Sequence, residues 1–483
     1  MTEWNIAAIA PLYPELFLAA AGLVLLLVGA FRGNSSLKFI MTATVAVFGV
    51  ALVMVLKSDW TTMTSLNGMV ITDSFSAWTK ILLLGGLATS LLLSYDWLKE
   101  NNVLRFEYPL LVLFSGIGML LMVSANNLLS LYVSLELSSL CLYVLAAIRR
   151  DNAVSAEAGI KYFVLGALSS GLLLFGISLV YGYTGTIDYS LIGRTLMAHQ
   201  GGVPVGAVLG LVFILSGLAF KVSAVPFHMW TPDVYQGAPT PVTALFAIVP
   251  KVAAIGLILR LLMQPFGSLI DDWGPIISFM AIASMVWGSF AAIAQENIKR
   301  LLAYSSIGNM GYALIGVLAG IPEGAAGMLL YVAIYMVMTA GVFAIILSLK
   351  RNGQPIETIS DFAGLSKTSP FVAYSLAGLM FSLSGIPPLA GFFSKLFIFQ
   401  AAVASGHYVV AVIGVVASVV GAYYYLRIIK VMFFDESAGP VDKDTSLLCR
   451  YVTLAAVAFI LIFCAMPSTL LEQSQQAAGS LFP

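Results

Sequence analysis

The sequence predicts an all-α polytopic membrane protein with about fourteen transmembrane helices. It also predicts two inverted five-helix repeats, spans 4–8 and 9–13, each with a broken helix. Three observations lead there. Of 483 residues, 60% are hydrophobic and 10% are charged, whereas soluble proteins carry about 25% charged residues. A soluble domain so poor in charge would leave its surface uncovered. Apolar runs long enough for a bilayer core, roughly 20 residues each, recur along the whole chain. Two of those runs carry F-x-L-S-G followed by proline, each with a lysine close by.

An apolar window of roughly 19 residues places the spans near 12–31, 37–56, 75–95, 108–124, 127–148, 155–182, 206–230, 238–262, 274–294, 299–319, 324–349, 369–403, 406–431 and 451–470. The twelfth is long because Pro387 and Pro388 interrupt it. Glu3, Trp4 and Pro11 precede the first run where a signal peptide would be basic, so the first span is expected to stay in the protein. The spans group as helices 1–3 (1–107), the first repeat (108–262), the second, inverted repeat (263–432) and helix 14 (433–483).

Basic residues sort by loop. Arg32, Lys38, Lys99, Arg105, Arg149, Arg150, Lys299, Arg300, Lys350, Arg351, Lys367, Arg427, Lys430, Lys443 and Arg450 fall at one set of span ends. Only Lys57, Lys80, Arg194 and Arg260 fall at the other. The positive-inside rule puts the first set in the cytoplasm. Both termini then lie outside, as an even number of spans requires. Between spans 11 and 12, "IETISDFAGLSKTSP" (Ile356–Pro370) has the spacing of a short interfacial helix on the cytoplasmic face.

Lys161, Lys221, Lys251 and Lys395 fit no loop, and Glu136 stands among apolar residues in "NNLLSLYVSLELSSLCLYVLAAI". An ionisable group at the bilayer centre costs at least ~2.5–3.5 kcal/mol. Such groups either glue helices together or form an ion or proton path. For Glu136, Lys221, Lys251 and Lys395 the path is the favoured reading. Lys161, four residues after Glu157, equally fits a local ion pair. His228, two residues after Pro226, fits a structural donor as well as a proton relay. Burial disfavours charge, and a nearby opposite charge restores it. A Glu136–Lys221 pair would therefore hold the lysine's proton when together and release it when apart. Lys251 and Lys395 would continue the path along the membrane plane.

The broken segments are "FILSGLAFKVSAVPFHMW" (Phe213–Trp230) and "FSLSGIPPLAGFFSKLF" (Phe381–Phe397). Both contain F-x-L-S-G, with Phe213 and Phe381 separated by 168 positions. Pro226 offers no N–H to the Val222 carbonyl, and Pro387 and Pro388 offer none to Leu383 and Ser384. Freed backbone at membrane depth persists only where protein buries it or water reaches it. Five spans separate the copies, and an odd number inverts the second unit. Phe213–Gly217 is expected to overlay Phe381–Gly385. In that register Lys395 corresponds to Phe227, and the two lysines lie on opposite sides of their breaks.

Cys141, Cys449 and Cys464 are scattered, and His199, His228 and His407 are isolated, so no metal site or disulfide is expected. Net charge is zero, with no basic patch for nucleic acid. No G-x-G-x-x-G or P-loop follows a strand, so no nucleotide site is expected.

"FKVSAVPFHMWTPDVYQGAPTPVTALFAIVPKVA" (Phe220–Ala253), "NIKRLLAYSSIGNMGY" (Asn297–Tyr312) and "SGIPPLAGFFSKLFIF" (Ser384–Phe399) carry a family resemblance. They are similar to the antiporter-like membrane subunits of bacterial respiratory complex I, the NADH:ubiquinone oxidoreductase. "HMWTPDVYQGAPTPV" and the lysine at 395 resemble the N type. The M type has glutamate at that place, and the L type adds a long lateral helix. The resemblance implies a proton-translocating subunit that couples electron transfer from NADH to quinone to proton transport. It places the family's helix-5 glutamate on Glu136 and its helix-7, helix-8 and helix-12 residues on Lys221, Lys251 and Lys395. FMN, iron–sulfur clusters, NADH and quinone would belong to other subunits, and no cofactor to this chain. The implied partners are neighbouring antiporter-like and small membrane subunits and, through them, the hydrophilic arm. The implied location is the bacterial inner membrane, with both termini periplasmic. A subunit of a multi-subunit Na+/H+ antiporter is the alternative, and "TPDVYQGAP" favours complex I over it. A purely structural scaffold is disfavoured by the buried charges.

Overall fold

The computed structural model describes residues 6–198, 202–442 and 446–482, so Glu3, Trp4, His199 and Lys443 lie outside the described residues. The chain is helical almost throughout. Helices α1 (Tyr13–Arg32) and α2 (Leu37–Lys57) are joined by a 3-10 turn. A small hairpin, β1 (Met63–Ser65) and β2 (Val70–Thr72), leads into α3 (Ser74–Glu100). Then come α4 (Glu107–Val123), α5 (Leu128–Ala146), α6 (Ala153–Thr184) and a short α7 (Tyr189–Ala198). The first interrupted segment is α8 (Val205–Val222) followed by α9 (Trp230–Gly237). After it run α10 (Thr240–Ile248), α11 (Pro250–Met263), α12 (Ile270–Ile293), α13 (Ile298–Leu318) and α14 (Pro322–Ser348). Strands β3 (Lys350–Arg351) and β4 (Gln354–Pro355) and the four-residue α15 (Leu365–Thr368) precede the second interrupted segment. That segment is α16 (Pro370–Ser384) and α17 (Ala390–Ala404), followed by α18 (Tyr408–Phe434), α19 (Leu447–Ala465) and α20 (Ser468–Gly479).

Eleven helical segments among the described residues are long and apolar enough to cross a membrane; the first, Ile9–Lys57, holds both α1 and α2. Helices α4, α16 and α17 are apolar but shorter. Burial separates centre from rim. The α10–α11 segment, α13 and α14 are 94% buried, against 28% for α19, so these three segments form the axis around which the others pack. Where helices cross closely, glycine allows it. A Cβ on Gly118 of α4 would sit 2.6 Å from the Ser138 nitrogen of α5, and one on Gly288 of α12 would sit 2.6 Å from the Gly308 nitrogen of α13.

Four expectations are corrected. The segment 356–370 does not form one interfacial helix. It makes a 3-10 turn, Ile359–Phe362, and then α15, because Gly364 adopts φ +65° between them. The F-x-L-S-G copies do not occupy matching places. Gly385 is the left-handed residue that ends α16, whereas Ser223, six residues beyond Gly217, ends α8. Each is followed three residues later by a proline after a cis peptide bond, Pro226 and Pro388. The breaks thus match at a shift of 162 residues (Ser223 to Gly385), and Lys395 corresponds to Asp233, not Phe227.

Lys80 and Arg260 lie near span ends, but neither is a solvated loop cation. Lys80 pairs with Glu15 at 2.7 Å with both side chains at most 4% exposed, and Arg260 is fully buried against Asp73. The chain also does not stop with helix 14. Helix α20 follows, and beyond it the Ser480 hydroxyl accepts from the Phe75 nitrogen at 3.1 Å.

Candidate functional site

Proline leaves a helix one N–H short, and its carbonyl partner four residues back is orphaned. At the first break that carbonyl is Val222, and the Lys251 ammonium donates to it at 3.1 Å. At the second break the orphans are Leu383 and Ser384, and the Lys395 ammonium donates to both, at 3.3 and 3.1 Å. Lys251 and Lys395 thus stand in for the missing N–H groups. Each also faces the negative end of a helix dipole, which favours a cation there.

The two cations arrive from different places. Lys251 comes from the first turn of α11, beyond α9 and α10, and Lys395 from α17, the second half of its own broken helix. Around Lys251, the Ser223 hydroxyl also accepts from the ammonium, and Thr231 Oγ1 donates to Ser223 at 2.6 Å. The Trp230 ring lies 5.3 Å from the ammonium, and its indole N–H donates to the Phe220 carbonyl at 2.9 Å. Lys395 also donates to Ser418 Oγ at 2.9 Å and lies 4.8 Å from the Tyr312 ring. Beside it, Asn309, Tyr312, Ser418, Tyr424 and Tyr425 line a cavity of about 10 Å³, room for the centre of about one water.

Lys221, in the last turn of α8, does not turn to its break. It donates to Ser139 Oγ at 2.7 Å and to the Tyr143 hydroxyl at 3.0 Å, both on α5. Glu136 lies one turn earlier on α5, half-buried, and accepts from Ser170 Oγ of α6. Tyr143 in turn interacts with both Ser139 and Ser170. Glu136 and Lys221 therefore do not form an ion pair; three hydroxyls lie between them.

Polar groups also run between the two breaks. The hydroxyls of Tyr235 on α9, Ser306 on α13 and Tyr335 on α14 are neighbours. Farther along, the Tyr331 hydroxyl donates to Asn309 Oδ1 at 2.6 Å, and Ser305 and Tyr425 share a hydrogen bond of 2.6 Å. The sequence reading missed these residues, whose only signal is hydroxyls and one amide recurring in "AYSSIGNMGY" and "YVAIY" within apolar helices.

Lys161 and His228 do not join this line. The Lys161 side chain is 42% exposed, paired with Glu157 at 2.8 Å and with Asp233 at 2.8 Å. Arg300 completes the cluster, 2.7 Å from the other Asp233 oxygen. Burial alone would raise the Asp233 carboxyl, but hydrogen bonds and charge from Lys161 and Arg300 hold it below the usual value. The His228 ring meets Trp287 at 5.9 Å, and its Nδ1 is buried without a hydrogen-bond partner. The pairs Glu15–Lys80 and Asp73–Arg260 were missed as well. Arg260 is held bidentately by Asp73 at 2.8 and 2.9 Å and donates to the Val123 carbonyl at 3.0 Å and to Gln264 Oε1 at 3.4 Å. Among the described residues no group of three or more His, Cys, Asp or Glu side chains could hold a metal ion.

The family model described as NADH:quinone oxidoreductase/Mrp antiporter, transmembrane, matches residues 125–421, which include Glu136, Lys221, Lys251 and Lys395. The NADH-quinone oxidoreductase subunit N of Rhodospirillum rubrum is 50% identical over 475 residues, covering 98% of this chain and 97% of that one. A chain of respiratory complex I from Thermus thermophilus, solved with bound aureothin, superposes with a TM-score of 0.82 at 32% identity, covering 95% of this chain and 98% of that one. The Mrp complex from Dietzia sp. DQ12-45-1b matches with a TM-score of 0.87 over 99% of this chain and 98% of that one, and at 24% identity it speaks for the fold alone. The chain belongs to the NADH:quinone oxidoreductase/Mrp antiporter transmembrane family.

Proposed function

We propose that this chain is the N-type, proton-translocating membrane subunit of a bacterial NADH:quinone oxidoreductase, and that Glu136, Lys221, Lys251 and Lys395 carry its protons. The observation that carries this reading is the pair of capped breaks. Two ammonium groups are held at helix ends by neutral carbonyls and hydroxyls, with no carboxylate among the described residues bound to either. A cation held so can give up its proton without leaving a naked countercharge behind. Hydroxyls both donate and accept, so Ser139, Tyr143 and Ser170 join Glu136 to Lys221, and the tyrosine–serine–asparagine groups of α9, α13 and α14 lead on to Lys395. NADH, flavin, iron–sulfur and quinone chemistry belongs, on this reading, to other subunits, and the partners are membrane subunits of the same assembly.

On the same reading the chain crosses the inner membrane fourteen times, counting α1 and α2 separately, α4 once, and each broken helix once. The groups 1–107, 108–262, 263–432 and 433–483 are its units, and both termini are periplasmic. Inverted repeats are supported by hydrogen bonds that recur at one constant shift. Leu128 and Ile187, and Tyr189 and Asn126, bond at 2.9 and 3.2 Å. Ile298 and Glu357, and Ile359 and Glu296, each 170 positions later (Leu128 to Ile298), do so at 2.8 and 2.9 Å. The Gly118 and Gly288 crossings obey the same shift. In that register Ser306 takes the place of Glu136, so only the first unit brings a carboxylate.

The test has two parts. The tagged chain purified in mild detergent should bring NADH-oxidising, flavin-containing subunits with it. Lys221→Met should lower NADH-driven proton uptake by inverted vesicles, normalised to assembled complex. Wild-type uptake by that variant would reject the proton path.

A further inference from the structure

Helix α9 has two ends with different company. Its first residues, Trp230 and Thr231, cover the Lys251 site through the Phe220 carbonyl and the Ser223 hydroxyl. One turn on, Asp233, at the cytoplasmic rim in the orientation proposed above, accepts from Lys161 of α6 and Arg300 of α13 at 2.8 and 2.7 Å. Arg300 also donates to Gln236 at 3.1 Å, and Lys299 donates to the carbonyl of Ala238, which ends α9, at 3.2 Å. So α9 is held on one side by the first unit and on the other by the second.

We propose that Asp233 is a positioning residue for Lys251. Bound by Lys161 and Arg300 it latches α9 shut over the Lys251 site, and its release opens that site to cytoplasmic water. This rests on the proton-path reading above. The chemistry suits a latch that opens. The three side chains are 31–42% exposed, and ion pairs wet to that degree hold weakly. The Asp73–Arg260 pair, at most 1% exposed, is the contrasting permanent joint. Behind the latch, Trp230, Thr231, Val234 and Tyr235 are at most 3% exposed, so the closed α9 seals what it covers. Counted from the breaks, a shift of 162 residues, the same position has two uses: at 395 a lysine reaches back to cap its own break, while at 233 an aspartate reaches out to the rim.

The test uses the assembled complex in inverted vesicles, with Val234→Cys as reporter and Cys141, Cys449 and Cys464 replaced by serine. A membrane-impermeant maleimide is added from the cytoplasmic side. Asp233→Asn should speed labelling about tenfold, equivalent to a latch of about 1.4 kcal/mol, and should lower protons pumped per NADH. Asp233→Glu should restore both. Should Asp233→Asn fail to assemble, Lys161→Gln, changed at an exposed side chain, is expected to speed labelling in the same direction. Unchanged labelling in an assembled latch variant overturns the proposal. Lys251→Met separates the two claims. If it pumps normally the proton-path reading fails, whereas the labelling rates still decide the latch.

Discussion

Replacing Lys395 by methionine keeps most of the length of the side chain and removes its three hydrogen bonds, to Leu383, Ser384 and Ser418. A buried acceptor left without a donor costs about 1–3 kcal/mol. Two stranded carbonyls at the end of α16 therefore cost roughly 2–6 kcal/mol, eased in part by Ser418 Oγ, which also donates to Ser384 at 3.4 Å. Lys395→Met should thus lower both the thermal stability of the purified complex and its proton pumping. Lys395→Gln tells the two roles apart. Its amide is one bond shorter but still donates, so it should recover part of the cap and none of the proton exchange. The assay is NADH-driven acidification of inverted vesicles, normalised to assembled complex, beside a melting curve. Glutamine that restores stability but not pumping fits the proposal. Glutamine that restores both would make Lys395 a cap and nothing more.

Gly391→Ala should separate the halves of the second broken helix, since its Cβ would fall 1.8 Å from the Ser382 carbonyl; pumping per assembled complex should drop severalfold. Tyr143→Phe removes one acceptor of the Lys221 ammonium at almost constant volume, so pumping should slow while the melting temperature moves little. Asp73→Asn leaves the fully buried Arg260 without its charge partner, which costs about 3–5 kcal/mol and should show as lost assembly in a native gel. Outside the spans, burial would raise the Asp361 carboxyl, but the Thr358 hydroxyl and amide and the Arg351 charge hold it below its usual value. Its contribution is then complete above the ordinary aspartate value of about 3.9 and fades as pH falls through the lower folded value. Asp361→Asn should therefore expose the 357–363 loop to protease at neutral pH, with variant and wild type converging only in strong acid.

The breaks were legible in the sequence because proline deletes a donor at a known distance: Val222, Leu383 and Ser384 could be named as orphans from Pro226, Pro387 and Pro388 alone. What fills each gap was less legible. Lys251 reaches Val222 from another helix, and sequence order does not say which ammonium folds onto which carbonyl. The F-x-L-S-G match misled because the register is set by the residue that can turn left-handed, Ser223 in one unit and Gly385 in the other. Composition marked Glu136 and Lys221 as buried, but the hydroxyls between them look like ordinary polar residues until α5, α6 and α8 pack together. Lys80 and Arg260 read as loop-end cations because each lies near a span end, and their partners Glu15 and Asp73 are 65 and 187 positions away.

The most direct measurement is the number of protons moved per NADH oxidised by the purified complex in sealed proteoliposomes, compared between wild type and Lys251→Met. On the proposed path, Lys251 is the relay between the Glu136–Lys221 group and Lys395. With assembly confirmed and NADH oxidation still running, the ratio should fall in the variant. A ratio equal to wild type would contradict a proton path through the capped breaks.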